Sequence, residues 1–218
     1  MNWIYYLLVW VMFIINYHLT MKTIILASNN EHKIKEFREI FNDCEILSLN
    51  DIWFFDNIVE DWETFLDNAL IKCKTVYNFL KEKWIEANIM ADDSWLCVNA
   101  LNWAPWVYSA RYAGWHWDNA ANRAKLLKEL EWKEDRSAYF LCCIVEMFPD
   151  WTHIYSEWKT FWKILTEEIW DKSFGYDCLF FSDDLKKTFW EATADEKNAI
   201  SHRWRAIEWL IAEIWKIV

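Results

Sequence analysis

The sequence predicts an α/β layered fold, a sheet covered by helices, and three observations carry that reading. Short β-rich runs alternate with amphipathic helical stretches along the chain. A length of 218 residues suits one domain, with at most two lobes, and can bury a sizeable core. No internal repeat, low-complexity tract or linker divides the chain.

In order, Thr23 to Ala27 reads as a strand, followed by the polar turn Ser28-Asn29-Asn30 and a helix with Ile34, Phe37, Ile40 and Phe41 on one face. Glu45 to Leu49 reads as a second strand. Thr64 to Leu80 reads as a strong amphipathic helix, with Phe65, Leu66, Ala69, Leu70, Cys73, Val76, Tyr77 and Leu80 at helical spacing. Ile89 to Ala91 reads as a short buried strand ending in acids, and a polar loop rich in tryptophan then leads to a helix over Asn119 to Leu130. Ser137 to Phe148 is a long apolar strand, with further strands expected at Ile154 to Lys159 and Leu179 to Phe181. Thr193 to Glu196 has the Thr-x-x-Glu capping-box pattern, and the helical region it opens resumes after His202.

Residues 1–20 are apolar from Trp3 to Ile15 and lack Lys and Arg. That run is shorter than the roughly 20 residues needed to span a bilayer, and it has neither the positive start nor the cleavage site of a secretory signal. The expectation is that translation starts at Met21 and that a single domain occupies 21–218; a weak membrane anchor is the other reading of the leader.

The 23 basic and 34 acidic side chains give a net charge of −11, which argues against a nucleic-acid-binding surface. A polyanionic substrate would therefore need a local basic pocket or a metal. The 6 cysteines show neither CxxC pairs nor zinc spacing and read as reduced, mostly buried thiols of a cytosolic protein.

Glycine and tryptophan are out of proportion: 2 glycines stand beside 19 tryptophans, where average usage of about 7% would put roughly 15 glycines. Trp103 follows Asn102 and Trp106 follows Pro105, in dipeptides where glycine is the ordinary turn former.

Four groups of residues could carry chemistry. Ser28, Asn29, Asn30, Glu31, His32 and Lys33 place a hydroxyl, amides and a lysine at a helix N-terminus, which suits phosphate and equally suits a plain N-cap. Asp92, Asp93 and Ser94 follow a buried strand, where paired carboxylates can hold Mg2+ together with substrate phosphates or simply cap the next element. Glu60 and Asp61 form another acidic pair before the Thr64 helix and alone read as helix-dipole partners. In the last group, Phe174, Gly175, Tyr176 and Asp177 join aromatics to an acid and could stack on a base or form a turn packed on the core, while Lys197, His202 and Arg203 concentrate cationic donors in an acidic protein, for phosphate or a purine carbonyl or as a solvated helix face.

The segments LASNNEHKIKEF, TFLDNALIKCK, ADDSWLCVNALNWAPWVYSARYAG, FGYD and KNAISHRWRA, in this order, resemble the inosine triphosphate pyrophosphatase family, also called dITP/XTP pyrophosphatases. The resemblance runs from about Met21 to about Leu210. It implies an elongated mixed sheet with flanking helices, two lobes with a nucleotide cleft, and a cytoplasmic homodimer. It also implies Mg2+-dependent hydrolysis of ITP, dITP and XTP to the monophosphate and pyrophosphate, acting on free nucleotides with no nucleic-acid or membrane partner.

Residue by residue, Ser28 to Lys33 match the family's phosphate-binding turn, Asp93 its catalytic and metal-binding carboxylate, and Ser94 a substrate contact. Glu60 matches a metal-binding acid, with Val59 where many members have another glutamate. Phe174 to Asp177, Lys197, His202 and Arg203 match the segments that hold base and phosphates. In the same pattern Trp62, Trp95, Trp103, Trp106 and Trp204 replace expected glycines, and Trp53, Trp132, Trp151 and Trp170 stand where glycine is frequent. The expectation is a codon read as glycine in its own organism and rendered here as tryptophan. Two other readings stay open: a related pyrophosphatase for modified pyrimidines, and a non-catalytic nucleotide-binding protein.

Overall fold

The computed structural model describes residues 23–60, 64–114, 118–169 and 175–217. The expectations for the leader, Asp61, Trp62, Trp170 and Phe174 lie outside these described residues. Seven strands form one open mixed sheet in the order β2-β1-β3-β4-β5-β6-β7. Strand β1 (Thr23–Leu26) runs parallel to β2 (Glu45–Leu47) on one side and to β3 (Asn88–Val98) on the other. After β4 (Ser137–Met147) and β5 (His153–Ile164), the short strands β6 (Phe180–Ser182) and β7 (Lys187–Thr188) pair antiparallel.

The helices follow the polar punctuation. Helix α1 (Glu31–Ile40) is capped by Asn30, whose side chain accepts from the His32 and Lys33 amides. Helix α2 (Phe65–Glu82) is capped by Thr64, and α3 (Asn119–Glu129) by Asp118. Helix α4 (Ala194–Ile200) has the full capping box between Thr193 and Glu196, and α5 (His202–Ile217) follows directly. No helix of the described residues is long and apolar enough to cross a membrane.

The chain divides into two compact units. The first comprises the described part of Met1–Asp93 with Cys143–Ser156 and Ile207–Val218; the second comprises Ser94–Cys142 and Glu157–Ala206. In the first unit Ile24, Leu26, Phe37, Ala69, Val76 and Ile144 are buried. The second has its own apolar cluster, which includes Leu96, Leu126, Leu130, Trp162, Phe180 and Phe189. Full burial of such a side chain stabilises by about 1.5–3 kcal/mol. Five of the six thiols are buried, and Cys44 is partly so.

The sequence reading needs correction at β3, which does not end at Ala91 but carries Asp92, Asp93 and Ser94 in its middle and runs on to Val98. Aspartate disfavours strands, but buried ion pairs hold both aspartates there. Strand β5 likewise extends past Lys159 to Ile164 with alternating burial, and β7 is too short to show a period.

Several of the tryptophans stand where the backbone has the left-handed φ that favours glycine. Eight non-glycine residues among those described have a left-handed φ, and six of them are Trp53, Trp84, Trp103, Trp106, Trp132 and Trp151. At the end of α2 the Trp84 amide donates to the Lys81 carbonyl (3.1 Å) and the Ile85 amide to the Leu80 carbonyl (3.0 Å). This is a Schellman motif, whose left-handed residue is usually glycine. Trp53 closes a turn with the same pair of bonds, to Asn50 and from Phe54 to Leu49. Trp151 occupies the next-to-last position of the loop between β4 and β5, with φ 75°. Trp95 lies within β3 and Trp204 within α5, so their φ values make no such demand.

Candidate active site

In the first unit, the turn after β1 uses much of its polarity locally. Ser28 Oγ accepts from the Asn30 amide (3.1 Å), Asn29 Oδ1 from the Asn50 amide (2.8 Å), and Asn30 Oδ1 from the amides of His32 (3.0 Å) and Lys33 (3.3 Å). Two amides that the sequence offered to phosphate are therefore satisfied by Asn30. Glu31 and His32 are exposed on the first turn of α1. Lys33 instead turns inward, its Nζ lying 2.9 Å from Asp92 Oδ1.

Asp93, beside it on β3, is buried, and its counter-charge comes from α2. Lys72 Nζ lies 3.4 Å from Asp93 Oδ1 and 2.6 Å from Glu60 Oε2, and it donates to the Asp92 carbonyl at 3.0 Å. Burial alone would lower the Lys72 pKa, but Asp93, Glu60 and Asp92 outweigh it and hold the ammonium above its ordinary range. Burial pushes the Asp93 carboxyl up, against the opposing pull of Lys72 and Lys33. The result is a carboxylate of raised basicity whose Oδ1 is anchored and whose Oδ2 is buried with no hydrogen-bond partner.

That donor set bears on the metal. Among the described residues no group of three or more His, Cys, Asp or Glu is arranged to hold an ion. Asp93 and Glu60 do face one ammonium, however, and Asp93 Oδ2 makes no hydrogen bond. Two carboxylate oxygens, with the remaining positions left to phosphate and water, suit Mg2+.

In the second unit, Arg203 Nη2 lies 3.5 Å from Ser94 Oγ, and Lys197 Nζ pairs with Asp177 Oδ2 at 2.9 Å. Lys197 stands on α4, whereas His202 and Arg203 open α5. The His202 ring stacks on Phe140 with centroids 4.9 Å apart. Tyr176 is committed to the core: its hydroxyl donates to the Ser109 carbonyl at 2.8 Å. This corrects the expectation that Tyr176 offers a ring for stacking on a base. Gly175 has φ 55°, and its carbonyl accepts from Arg123 Nη1 at 3.0 Å.

The sequence reading missed Lys72 and Arg123. Each was legible as a lone cation within an apolar stripe: Lys72 between Ala69, Cys73 and Val76, and Arg123 with Leu126 and Leu130. A cation on a buried stripe needs a carboxylate or a carbonyl to meet it.

The Ham1 family model matches residues 24–213. A dITP/XTP pyrophosphatase of Clostridium perfringens (strain 13 / Type A) is 47% identical over 193 residues, covering 86% of this chain and 95% of its own length. One from Desulfotalea psychrophila is 43% identical over 197 residues, covering 89% and 86%. The structure of the Staphylococcus aureus Ham1 protein matches with a TM-score of 0.78 at 34% identity, covering 90% of this chain and 100% of that one. A HAM1 protein from Coxiella burnetii matches with a TM-score of 0.76 at 35% identity, with the same coverage. With a match over nearly its whole described length, the chain belongs to the Ham1 family.

Proposed function

We propose that the protein is a nucleoside triphosphate pyrophosphatase that hydrolyses ITP, dITP and XTP to the monophosphate and pyrophosphate, removing deaminated purines from the nucleotide pool. The observation that carries the reading is the buried Asp93, anchored through one oxygen by Lys72 and raised in pKa, in a chain whose relatives are dITP/XTP pyrophosphatases.

In the mechanism, Asp93 takes a proton from water as the water oxygen adds to phosphorus and the α–β anhydride P–O bond breaks. Its raised pKa improves it as a base at neutral pH. Lys72 keeps the carboxylate oriented. Lys33, with the Ser28–Lys33 turn, receives the departing pyrophosphate and its growing charge. Asp93 and Glu60 are the residues that would hold Mg2+, which when bound offsets the negative charge of the triphosphate. Ser94, Arg203 and His202 serve the nucleotide in the second unit, while Asp177 and Lys197 address the base. A 6-oxo purine accepts from a cationic donor such as Lys197 or Arg203, whereas the 6-amino group of adenine would leave that donor unpaired.

The same reading takes residues 21–218 as a single catalytic domain and the protein as a cytoplasmic homodimer. It acts on free nucleotides rather than on nucleic acid or at a membrane, in keeping with the net charge of −11.

The test is pyrophosphate release by the full chain from ITP, ATP and GTP with Mg2+. Release selective for ITP, lowered about 10²- to 10⁴-fold in kcat by Asp93→Asn, is the expected result. Equal turnover of ATP and ITP, or release of orthophosphate, would overturn it.

A further inference from the structure

We propose that Arg123 is a positioning residue that locks the turn from Gly175 to Asp177 and thereby sets the carboxylate that reads the base. The inference rests on the pyrophosphatase reading and adds a specificity determinant to it.

Arg123 is 2% exposed and is among the largest fully buried side chains of the described chain. A guanidinium stays protonated inside a protein, so burying one is unfavourable unless it is bonded. Here Nε lies 3.1 Å from Glu168 Oε2, and Nη1 donates to the Gly175 carbonyl at 3.0 Å. An apolar side chain, with an uncharged partner in place of Glu168, would fill the same place on α3 beside Leu126 and Leu130, and replacing a buried ion pair as a whole is often neutral or stabilising. Packing alone therefore does not account for an arginine at this position. What the arginine provides, and a leucine does not, is a fixed donor aimed at one carbonyl.

That carbonyl belongs to the residue with the greatest backbone freedom in the turn. Gly175 sits at φ 55°, and a Cβ there would meet nothing within 4 Å, so side-chain crowding does not hold its conformation. The bond from Arg123 fixes the plane of the peptide joining Gly175 to Tyr176. The next two residues are tethered as well, Tyr176 through Ser109 and Asp177 through Lys197. Of the three tethers, Arg123 alone acts on the backbone, and it therefore sets the direction in which the chain delivers Asp177.

The test compares the full-length parent with Arg123→Met and Arg123→Lys, reading steady-state kinetics with ITP and ATP and hydrogen exchange of the backbone around Tyr176 and Asp177. Arg123→Met is expected to stay folded and keep kcat for ITP within about threefold. Its KM for ITP rises about tenfold, its preference for ITP over ATP falls about tenfold, and exchange around Tyr176 speeds up locally. Arg123→Lys, which keeps a donor without the planar fork, recovers part of the preference.

An Arg123→Met protein with the parent's KM, preference and exchange would overturn the inference. So would a loss of kcat that follows loss of folded protein while preference stays intact. If the parent itself releases no pyrophosphate from ITP, the pyrophosphatase reading fails instead; the exchange rates then decide alone whether Arg123 holds the turn.

Discussion

Trp84 provides the sharpest test of how backbone and side chain disagree in this protein. It occupies the left-handed position of the Schellman motif that ends α2, at φ 59°, with its side chain 95% exposed. A left-handed conformation costs an L-residue about 1–2 kcal/mol. Glycine removes that cost but gives the unfolded chain more freedom, worth about 0.5–1 kcal/mol. The indole is too exposed to contribute burial, so Trp84→Gly has a net gain of about 1 kcal/mol. For a chain of this length that raises Tm by about 2–4 °C.

Trp132, beyond the end of α3, also has a left-handed backbone, at φ 66° and 92% exposed, in the other compact unit. The double variant should gain about 2 kcal/mol, since the two sites share no neighbours in sequence and lie in different units. Urea denaturation of the parent, Trp84→Gly, Trp84→Ala and the double variant measures this. Alanine removes the indole but keeps the Cβ, so it should gain little. If alanine stabilises as much as glycine, or glycine destabilises, φ is not what sets the effect, and the case for glycine as the residue this fold requires collapses.

Two further outcomes follow from the buried charges. Lys72→Met leaves Asp93 beside Glu60 and Asp92 without the ammonium between them, so the Asp93 pKa rises further and the acidic limb of the kcat/KM profile moves to higher pH; an unmoved limb would remove Asp93 as the base. Glu146, buried on β4, is pushed up to about 7 by burial, although Asn88 Nδ2 donates to its Oε1 at 2.9 Å. Its folded pKa exceeds the unfolded 4.5, so the fold binds more protons across that window and loses stability as pH rises through it. The parent should lose about 3 kcal/mol between about pH 4.5 and pH 7 from this group. Glu146→Gln should lack that loss, and denaturant midpoints across the same range decide it.

What was legible in the sequence was whatever obeys a local rule. The α2 stripe of Ala69, Cys73, Val76 and Leu80 states its period openly, and Thr193 with Glu196 states its cap. From sequence alone β3 reads too short, because Asp92 and Asp93 look like loop residues until Lys33 and Lys72 are brought to them from α1 and α2. Lys72 and Arg123 stand out in the sequence as lone cations on apolar stripes, but their partners, Asp93 for one and Gly175 for the other, are too distant in sequence to be named from it. The glycine-like positions were legible where a motif was present. Trp84 was not, because it stands in no recognised motif and only the hydrogen bonds closing α2 expose the demand on its backbone.

The ammonium of Lys72 has one more consequence. Because it is tied covalently to α2 and reaches Glu60, Asp93 and the Asp92 carbonyl together, the protein carries its own resident counterion. The acidic strand can fold and persist without borrowing a cation from solution. Any dissociable ion must then compete with a tethered one, so occupancy is favoured when the ion arrives already bound to a polyanion that brings its own ligands.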